Sequence, residues 1–543
     1  MRARALPLAV AVALVVAGCS SEAERDGSPP ERSAAAETSS PTEPLTTLPG
    51  DDPAELALGT SGLLFESSPV VVTAREDDRA GVLLAASAAV GLGAPLLLEG
   101  DGLADELDRL DADALLAVGA AEGEVGEDGP DVVRVPATPD AVAQATGLSL
   151  DEAGPVPDDG GLDAVAALDG DEPAALVPEG SEAGGQDDVD ELPEMGRGDA
   201  RDETVVLVAG DDDAVAAVAT ARAAGARVVV LDGTTDPRGS EAARTALADD
   251  ATESVVALGA DLAAEDGLDW KLATAGTGVE LPGGGQLMFP GRFLVALYGH
   301  PGTGALGVLG EQPLEQAIQR ARDHAAPYEQ LVDARMVPAF EIIATVASTA
   351  AGPDGDYSNE ADPEMLRPWV EEAGAAGLYV LLDLQPGRTD FVTQAERYRS
   401  LLELPHVGLA LDPEWRLEPD QVHLTQIGSV DVEEVNAVVT WLADLTRDEL
   451  LPQKLLVLHQ FRPDMLPGRE RLDTGRDELA VMVHADGQGS QGDKQATWSR
   501  LRENAPERLA WGWKNFYDED APMLTPEETV EQVVPLPSLI SYQ

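Results

Sequence analysis

Cysteine is nearly absent from this sequence, and Cys19 is the single thiol among 543 residues. Without a second cysteine the chain forms no intramolecular disulfide and no multi-thiol metal site. Basic residues are also scarce, with 35 Lys and Arg against 100 Asp and Glu and a net charge of −65. Such a surface offers no basic footprint for nucleic acid, which argues against nucleic acid as a partner.

The apolar stretch nearest the N-terminus is too short to span a membrane comfortably. It covers residues 5–17, follows Arg2 and Arg4, and leads into Val16-Ala17-Gly18-Cys19, as in a secretion signal. These four residues resemble a bacterial lipobox. The resemblance implies a lipoprotein signal peptide over residues 1–19, lipidation of Cys19, and anchoring to the outer face of the cytoplasmic membrane, because two acyl chains suffice for stable binding. An ordinary secretory signal with a chance cysteine is the alternative.

Two segments are poor in large apolar residues. Residues 20–58 are rich in Ser, Pro, Thr, Glu and Ala, which predicts a disordered tether. Residues 151–203 are crowded with Asp, Glu, Gly and Pro, which predicts an acidic flexible insertion.

The segments on either side of this insertion repeat one pattern. Apolar strands alternate with Ala-rich helices over residues 59–150 and again over 204–285, and APLLLEG and ALLAVGA in the first have the counterparts ARVVVLDG and SVVALGA in the second. Wholly apolar strands predict parallel sheets with helices on both faces. We therefore predict an α/β fold with two Rossmann-like βαβαβ units.

This duplicated region resembles the cell-wall-binding repeat type 2 family of Gram-positive surface proteins. The resemblance is carried by VVVTA, the helix containing LAASA, GAPLLL, and LDRL leading to LLAVG. It implies binding to a wall polymer, although the acidic charge disfavours an anionic one. A Rossmann-like scaffold that only packs on its neighbour is the alternative. Dinucleotide binding is disfavoured, because Val208-Ala209-Gly210-Asp211 lacks the required glycine spacing.

From about residue 286 the composition changes, and every His lies in this part. Eight apolar strands alternate with seven helices over residues 286–543, the size and order of a (β/α)8 TIM-like barrel without its last helix. A doubly wound sheet is the alternative.

Polar side chains recur where the predicted barrel strands end. In VGLALDPEWR, Asp412, Glu414 and Arg416 occupy alternate positions and would share one side if the strand geometry persisted. The ends of the other strands carry the remaining candidates: His300, Glu341, Asp383, His459 with Gln460, His484 with Asp486, and Trp513 with Lys514 and Asn515. Because catalytic groups of such barrels come from the carboxyl ends of the strands, these residues predict a polar pocket.

Paired carboxyl groups beside aromatic residues suit glycoside hydrolysis. Asp412-Pro413-Glu414 resembles the strand-four Asp-x-Glu of barrel glycosidases, including chitinase-like and muramidase-like families, in which the glutamate is the acid. We assign Glu414 as acid/base, assisted by Asp412 or Asp383, with Glu341 and Asp486 as further catalytic candidates. The other polar residues and Trp513 are assigned to substrate binding. The substrate would be a carbohydrate or cell-wall polymer, with no cofactor or metal.

Two alternatives remain. A metal hydrolase would use His300, His459, His484 and Asp486, because imidazoles and carboxylates suit Zn²⁺ or Mn²⁺. A non-catalytic envelope binding or scaffold lipoprotein would use the same pocket for recognition alone.

Overall fold

The structure is a computed structural model that describes residues 34–123, 125–126, 129–180, 189–210 and 212–543. The predicted signal peptide, Cys19 and the tether up to residue 33 lie outside the described residues. No helix in the described ranges is long and apolar enough to cross a membrane.

Two four-stranded parallel sheets form the N-terminal half. The first has the order Leu96–Leu98, Val70–Ala74, Ala114–Val118, Asp131–Val135, and the second has the order Arg227–Val230, Thr204–Val208, Ser254–Leu258, Leu45–Leu48. In both sheets, the strand that comes first in the repeated pattern lies between the strands that come second and third. These first strands are Val70–Ala74 and Thr204–Val208. Parallel sheets are therefore confirmed for this region.

Helices cover both sheets. They are Pro53–Leu64, Arg79–Leu92, Leu103–Arg109, Pro139–Thr146, Gly161–Ala166, Val215–Ala223, Glu241–Leu247, Ala260–Ala263 and Leu268–Gly276. The helix Arg79–Leu92 ends at Gly93, whose φ of 71° lies in the left-handed region that favours glycine.

The second part of the region predicted as a disordered tether forms a strand and the start of a helix. Leu45–Leu48 is a strand that pairs with Ser254–Leu258, and Pro53–Leu64 is a helix that crosses the predicted boundary at residue 58. Asp52 caps this helix by accepting hydrogen bonds from the backbone N–H groups of Ala54 and Glu55. Of the predicted insertion, residues 181–188 lie outside the described residues, and the rest contains the helix Gly161–Ala166 and three two-residue strands.

The C-terminal half is a closed barrel of eight parallel strands. In barrel order these are Arg292–Gly299, Arg335–Ala347, Tyr379–Leu384, Val407–Leu411, Lys454–Gln460, Leu479–Ala485, Ala510–Asn515 and Leu539–Tyr542. The eighth strand pairs with the first, so the sheet closes and the doubly wound alternative is wrong. The predicted barrel of eight strands is confirmed.

Helices surround the barrel at Leu314–Ala325, Pro363–Ala375, Phe391–Arg397, Arg399–Leu402, Val432–Asp448, Gln491–Arg502 and Pro526–Gln532. Between the fifth and sixth strands, one of the seven helices expected from the sequence is replaced by two short turns, Pro463–Met465 and Arg469–Arg471. Pro467 and Gly468, the latter with φ 78°, separate them, because neither residue favours the interior of a helix.

The N-terminal half packs on the amino ends of the barrel strands. Lys271 forms ion pairs with Glu265 and with Asp477. Asp477 precedes the sixth strand, and its Oδ2 lies 2.6 Å from Lys271 Nζ. Arg238 donates a hydrogen bond to the Asp477 carbonyl and lies over the Trp270 ring. These contacts leave the carboxyl ends of the strands on the opposite side of the barrel.

Candidate active site at the carboxyl ends of the barrel strands

Polar side chains cluster at this end of the barrel, which we call the mouth. They meet there because every second residue of a strand points to the same side. Small and aliphatic side chains fill the barrel interior, among them Ala296, Ala339 and Leu381. Two residues further along the same strands lie Tyr298, Glu341 and Asp383. The same step leads from Ala410 to Asp412, from Val457 to His459, from Met482 to His484 and from Leu539 to Ser541. The strands thus bring these polar groups together above an apolar core.

His459 lies at the centre of the cluster, with 0% of its surface exposed. Its Nε2–H donates to Glu341 Oε1 at 2.7 Å, and its Nδ1 lies 3.2 Å from Asp486 Oδ2. Although burial opposes protonation, the charges of Glu341 and Asp486 raise the pKa of His459 well above its ordinary range. His459 is therefore an imidazolium that bridges two carboxylates.

His484 is the neutral partner of His459. Burial lowers the pKa of His484 to about 3. Its Nδ1 lies 3.4 Å from His459 Nδ1, and its Nε2 lies 3.3 Å from Ser541 Oγ.

Lys514 is the second cation of the cluster. Its Nζ lies 3.2 Å from Asp486 Oδ1 and 3.5 Å from the centre of the Tyr298 ring, so it combines an ion pair with a cation–π contact. Although burial opposes ionisation, the charge of Lys514, with the hydrogen bond from His459, holds the pKa of Asp486 below its ordinary range. Asp486 is therefore a carboxylate.

The pKa values of Asp383 and Asp412 are shifted in the opposite direction, above the ordinary range of an aspartate. Burial raises the pKa of Asp383 to about 6, and burial with the charge of Asp383 raises the pKa of Asp412 well above its ordinary range. Tyr298 donates to Asp383 Oδ2 at 2.9 Å. Asp412 Oδ1 is buried and has no hydrogen-bond partner in the described part of the chain.

A cavity of about 570 Å³ opens above the cluster. Its walls carry the ionisable groups Asp412, Glu414, Asp486 and Lys514, the rings of Tyr298, Trp415, Phe461 and Phe516, and the polar side chains of Gln385, Gln488, Thr497 and Gln543. The volume is in the range of small-molecule sites. Glu341, Asp383, His459 and His484 do not line the cavity and lie deeper in the barrel.

Glu414 is half-buried on the cavity wall. Burial, reinforced by the charge of Asp486, raises the pKa of Glu414 to about 7. Glu414 and Asp486 are thus two carboxyl groups on one cavity whose surroundings move their pKa values in opposite directions.

Three of the candidate residues lie outside the cavity: Gln460, Trp513 and Asn515. Each is next to an inward-pointing residue of its strand and therefore points outward. Gln460 accepts a hydrogen bond from Arg469. Trp513 packs on Trp498, and its Nε1–H donates to Asn515 Oδ1 at 2.9 Å. A strand turns such neighbours towards the surrounding helices.

Arg416 and His300 also lie outside the cavity. The fourth strand ends at Leu411 and residues 413–415 form a short helical turn, so the alternation expected from Asp412 to Arg416 does not hold. Arg416 instead forms an ion pair with Glu434 at 3.0 Å. His300 Nδ1 lies 2.8 Å from the Ile343 carbonyl oxygen.

Two groups of described residues bring metal-ligating atoms within 4.8 Å of one another: Glu341, His459 and His484, and Asp354, Asp356 and Glu360. In the first group, Glu341 and Asp486 already contact both ring nitrogens of His459, and the ammonium of Lys514 supplies the local positive charge. In the second group, Asp356 accepts hydrogen bonds from Ser358 N and Thr389 Oγ1. Neither group includes His300, so the four residues of the metal-hydrolase alternative do not form one such group.

Two contributors to the site, Tyr298 and Lys494, have no direct signal in the sequence. Tyr298 lies at an inward position of the first strand and donates to Asp383 Oδ2, but the strand-end pattern of the sequence does not single it out. Lys494 donates to the carbonyls of Gly487 and Lys514, and lies 2.9 Å from Asp520 Oδ2. Its position within a polar helix resembles that of any exposed lysine, so only the tertiary structure identifies its role.

No family model and no curated relative matches this sequence. Among solved structures, Cwp6 from Clostridium difficile is similar with a TM-score of 0.30 and 14% identity, over 63% of this chain and 62% of that one. Cwp8 from Clostridium difficile has a TM-score of 0.30 and 16% identity, over 44% of this chain and 52% of that one. The chain thus covers less than two thirds of either protein.

Proposed function

We propose that the protein is a cell-surface glycoside hydrolase, with Glu414 as the general acid and Asp486 as the carboxylate that completes the reaction. The observation that carries the proposal is the placement of these two groups on one cavity with opposite electrostatic surroundings. Glycoside hydrolysis needs this pair, one carboxyl group protonated and the other ionised.

The roles follow from the contacts of each group. Glu414 keeps its proton because it is half-buried near the negative Asp486, and it delivers that proton to the leaving glycosidic oxygen. Asp486 stays charged because Lys514 and His459 contact its two oxygens. It acts on the anomeric carbon as nucleophile, or on a water molecule as base, according to the space left by the bound sugar.

Asp383 and Asp412 support this arrangement from below. Burial raises the pKa of both groups, so each holds its proton to a higher pH than an exposed aspartate does, and Asp383, with a pKa of about 6, is mostly ionised at pH 7. The carboxylates of Glu341 and Asp486 lie beside the cations His459 and Lys514.

The aromatic residues of the cavity suit a sugar ring. Trp415, Phe461 and Phe516 line the same space as the two carboxyl groups. Aromatic faces pack on the apolar faces of sugars, while Gln385, Gln488 and Gln543 offer hydrogen bonds to hydroxyl groups.

The substitution Glu414→Gln tests the proposal on purified cell-envelope glycans. It removes the transferable proton with little change of shape, so turnover should fall by about 10²–10⁴-fold. Glu418→Gln is the matched control, because Glu418 is an exposed carboxylate of the following loop that does not line the cavity. Unchanged turnover in Glu414→Gln removes Glu414 from the mechanism. Glycan binding without product in the wild type favours the non-catalytic binding protein.

We also propose that a lipid on Cys19 anchors the protein outside the cytoplasmic membrane, with the N-terminal half as a duplicated wall-associated module. The shared strand order of the two parallel sheets supports a duplication, and the lipobox-like Val16-Ala17-Gly18-Cys19 supports the anchor. Cys19→Ala should release the protein into the culture medium, as measured by immunoblotting of membrane and medium fractions. Retention of the variant in the membrane fraction contradicts the anchor.

A further inference from the structure

We infer that the sugar bound in this cavity carries a free ammonium group, as in a glucosamine or galactosamine unit. This inference rests on the proposed function and adds the substrate class. It comes from the charges of the cavity wall, one buried oxygen without a partner, and the aromatic rings beside it.

The cavity wall has an excess of carboxyl groups. Asp412, Glu414 and Asp486 line it, and among the described lining residues Lys514 is the one cationic side chain. Its Nζ lies 3.2 Å from Asp486, so this cation is already paired. A uronate or phosphate group would find no unpaired cation here, whereas an ammonium group beside Asp412 would favour the ionised form of that carboxyl group and pair with it.

Asp412 supplies the second observation. Its side chain lines the cavity although the residue is only 3% exposed, and Oδ1 has no hydrogen-bond donor in the part of the chain that the structure describes. A buried polar atom without a partner is costly, so a ligand N–H that reaches Oδ1 gains a hydrogen bond that the free protein lacks.

The mouth already binds one ammonium group in the manner proposed. Lys514 Nζ lies over the Tyr298 ring and beside Asp486, which combines a ring face with a carboxylate. Trp415 and Asp412 line the same cavity and offer the same two kinds of partner to a ligand. An ammonium also has three N–H donors, more than a sugar hydroxyl group provides.

Calorimetric titration of the full chain tests this inference with glucosamine and galactosamine tetramers, their fully N-acetylated counterparts, and a galacturonate tetramer. We expect at least one amine tetramer to bind about tenfold tighter than its acetylated form, because acetylation removes the charge. The preference should weaken at high salt, and the galacturonate tetramer should not bind.

Two variants assign the effect to the cavity. Asp412→Asn should lose most of the preference for the amine, and Glu418→Gln, which changes an exposed carboxylate, should keep it. Thermal unfolding shows whether each variant is folded. Equal binding of amine and acetylated tetramers, no binding of either amine, or an undiminished preference in folded Asp412→Asn overturns the inference. So does one equivalent of a divalent metal in the purified protein that blocks the amine, because the carboxyl groups then serve the metal.

These outcomes are distinct from those of the proposed function. Hydrolysis of acetylated or neutral glycans without an amine preference keeps the hydrolase and removes the amino-sugar substrate. Tight amine binding without any product keeps the ligand and removes the hydrolase.

Discussion

Glu414 and Asp486 have the same chemical group and opposite surroundings. The structure explains the difference through neighbours: Asp486 contacts Lys514 and His459, whereas Glu414 is half-buried near the negative charge of Asp486. The sequence predicted both residues as candidates from their positions at strand ends. It did not show which would be charged, because Lys514 and His459 approach Asp486 from other strands.

The pH dependence of turnover follows from Glu414. As a general acid it must be protonated, and the protonated fraction falls as pH rises through its pKa of about 7. The kcat/KM of the wild type should therefore decline above about pH 7. Asp486 remains ionised across this range, because its pKa lies below the ordinary value. A profile that rises through neutral pH contradicts the assignment of Glu414 as the acid.

Prediction at the residue level was limited by the phase of the strands. Positions two residues beyond an inward aliphatic residue reach the mouth, as Asp383 and His459 do, and their immediate neighbours do not. Gln460 and Trp513 lie at the ends of their strands but at outward positions, so a strand end alone does not predict a place in the pocket. Arg416 does not share the side of Asp412, because Pro413 begins a turn directly after the strand.

Two loops of the mouth are joined by a buried ion pair. Lys494, on the helix Gln491–Arg502, is paired with Asp520, and both side chains are at most 1% exposed. Lys494 also binds the carbonyls of Gly487 and Lys514, and Asp520 accepts from the backbone N–H groups of Gly489 and Phe516. This pair therefore fixes the backbone on both sides of Asp486 and Lys514.

Lys494→Met should destabilise the protein by about 3–5 kcal/mol, because it leaves Asp520 buried without a cation. Urea unfolding measures the change. Arg462→Met is the matched control, since its ion pair with Asp464 is 52% and 64% exposed and should contribute about 0–1 kcal/mol. Equal losses in the two variants would show that the buried pair has no special role.

Long apolar strands and periodic helices were predictable because their signals are local. The strand Leu45–Leu48 was not, because its partner Ser254–Leu258 lies about two hundred residues away and its own sequence, LTTL, is short. Local composition predicted a tether there, and tertiary pairing overrides it. After the fifth strand, Pro467 and Gly468 interrupt a segment where a helix is expected, and two short turns form instead.

At the scale of the whole molecule, the four lysines of the sequence are all buried, at 0–2% exposure. Lys271 lies between the N-terminal half and the barrel, Lys454 lies inside the barrel wall, and Lys494 and Lys514 lie at the mouth. The positive charge of the described surface therefore comes from arginine. The sequence showed the scarcity of lysine and could not show its burial, since Lys271 and Asp477 are far apart in the chain.

An amine-reactive ester should therefore leave the lysine side chains of the native protein unmodified and modify all four after denaturation. Peptide mass spectrometry of the labelled protein measures this. Denatured protein is the control for the intrinsic reactivity of each lysine. Rapid labelling of Lys271 in the native protein would contradict the packing of the N-terminal half against the barrel.

The most direct test of the central claim compares two substrates in Glu414→Gln. A nitrophenyl glycoside has a leaving group that departs without protonation, whereas an envelope oligosaccharide needs the acid. We predict a loss of about 10²–10⁴-fold on the oligosaccharide and little loss on the nitrophenyl glycoside, with Asp486→Asn inactive on both. Equal activity of Glu414→Gln and the wild type on the oligosaccharide, or equal losses on both substrates, would contradict Glu414 as the general acid.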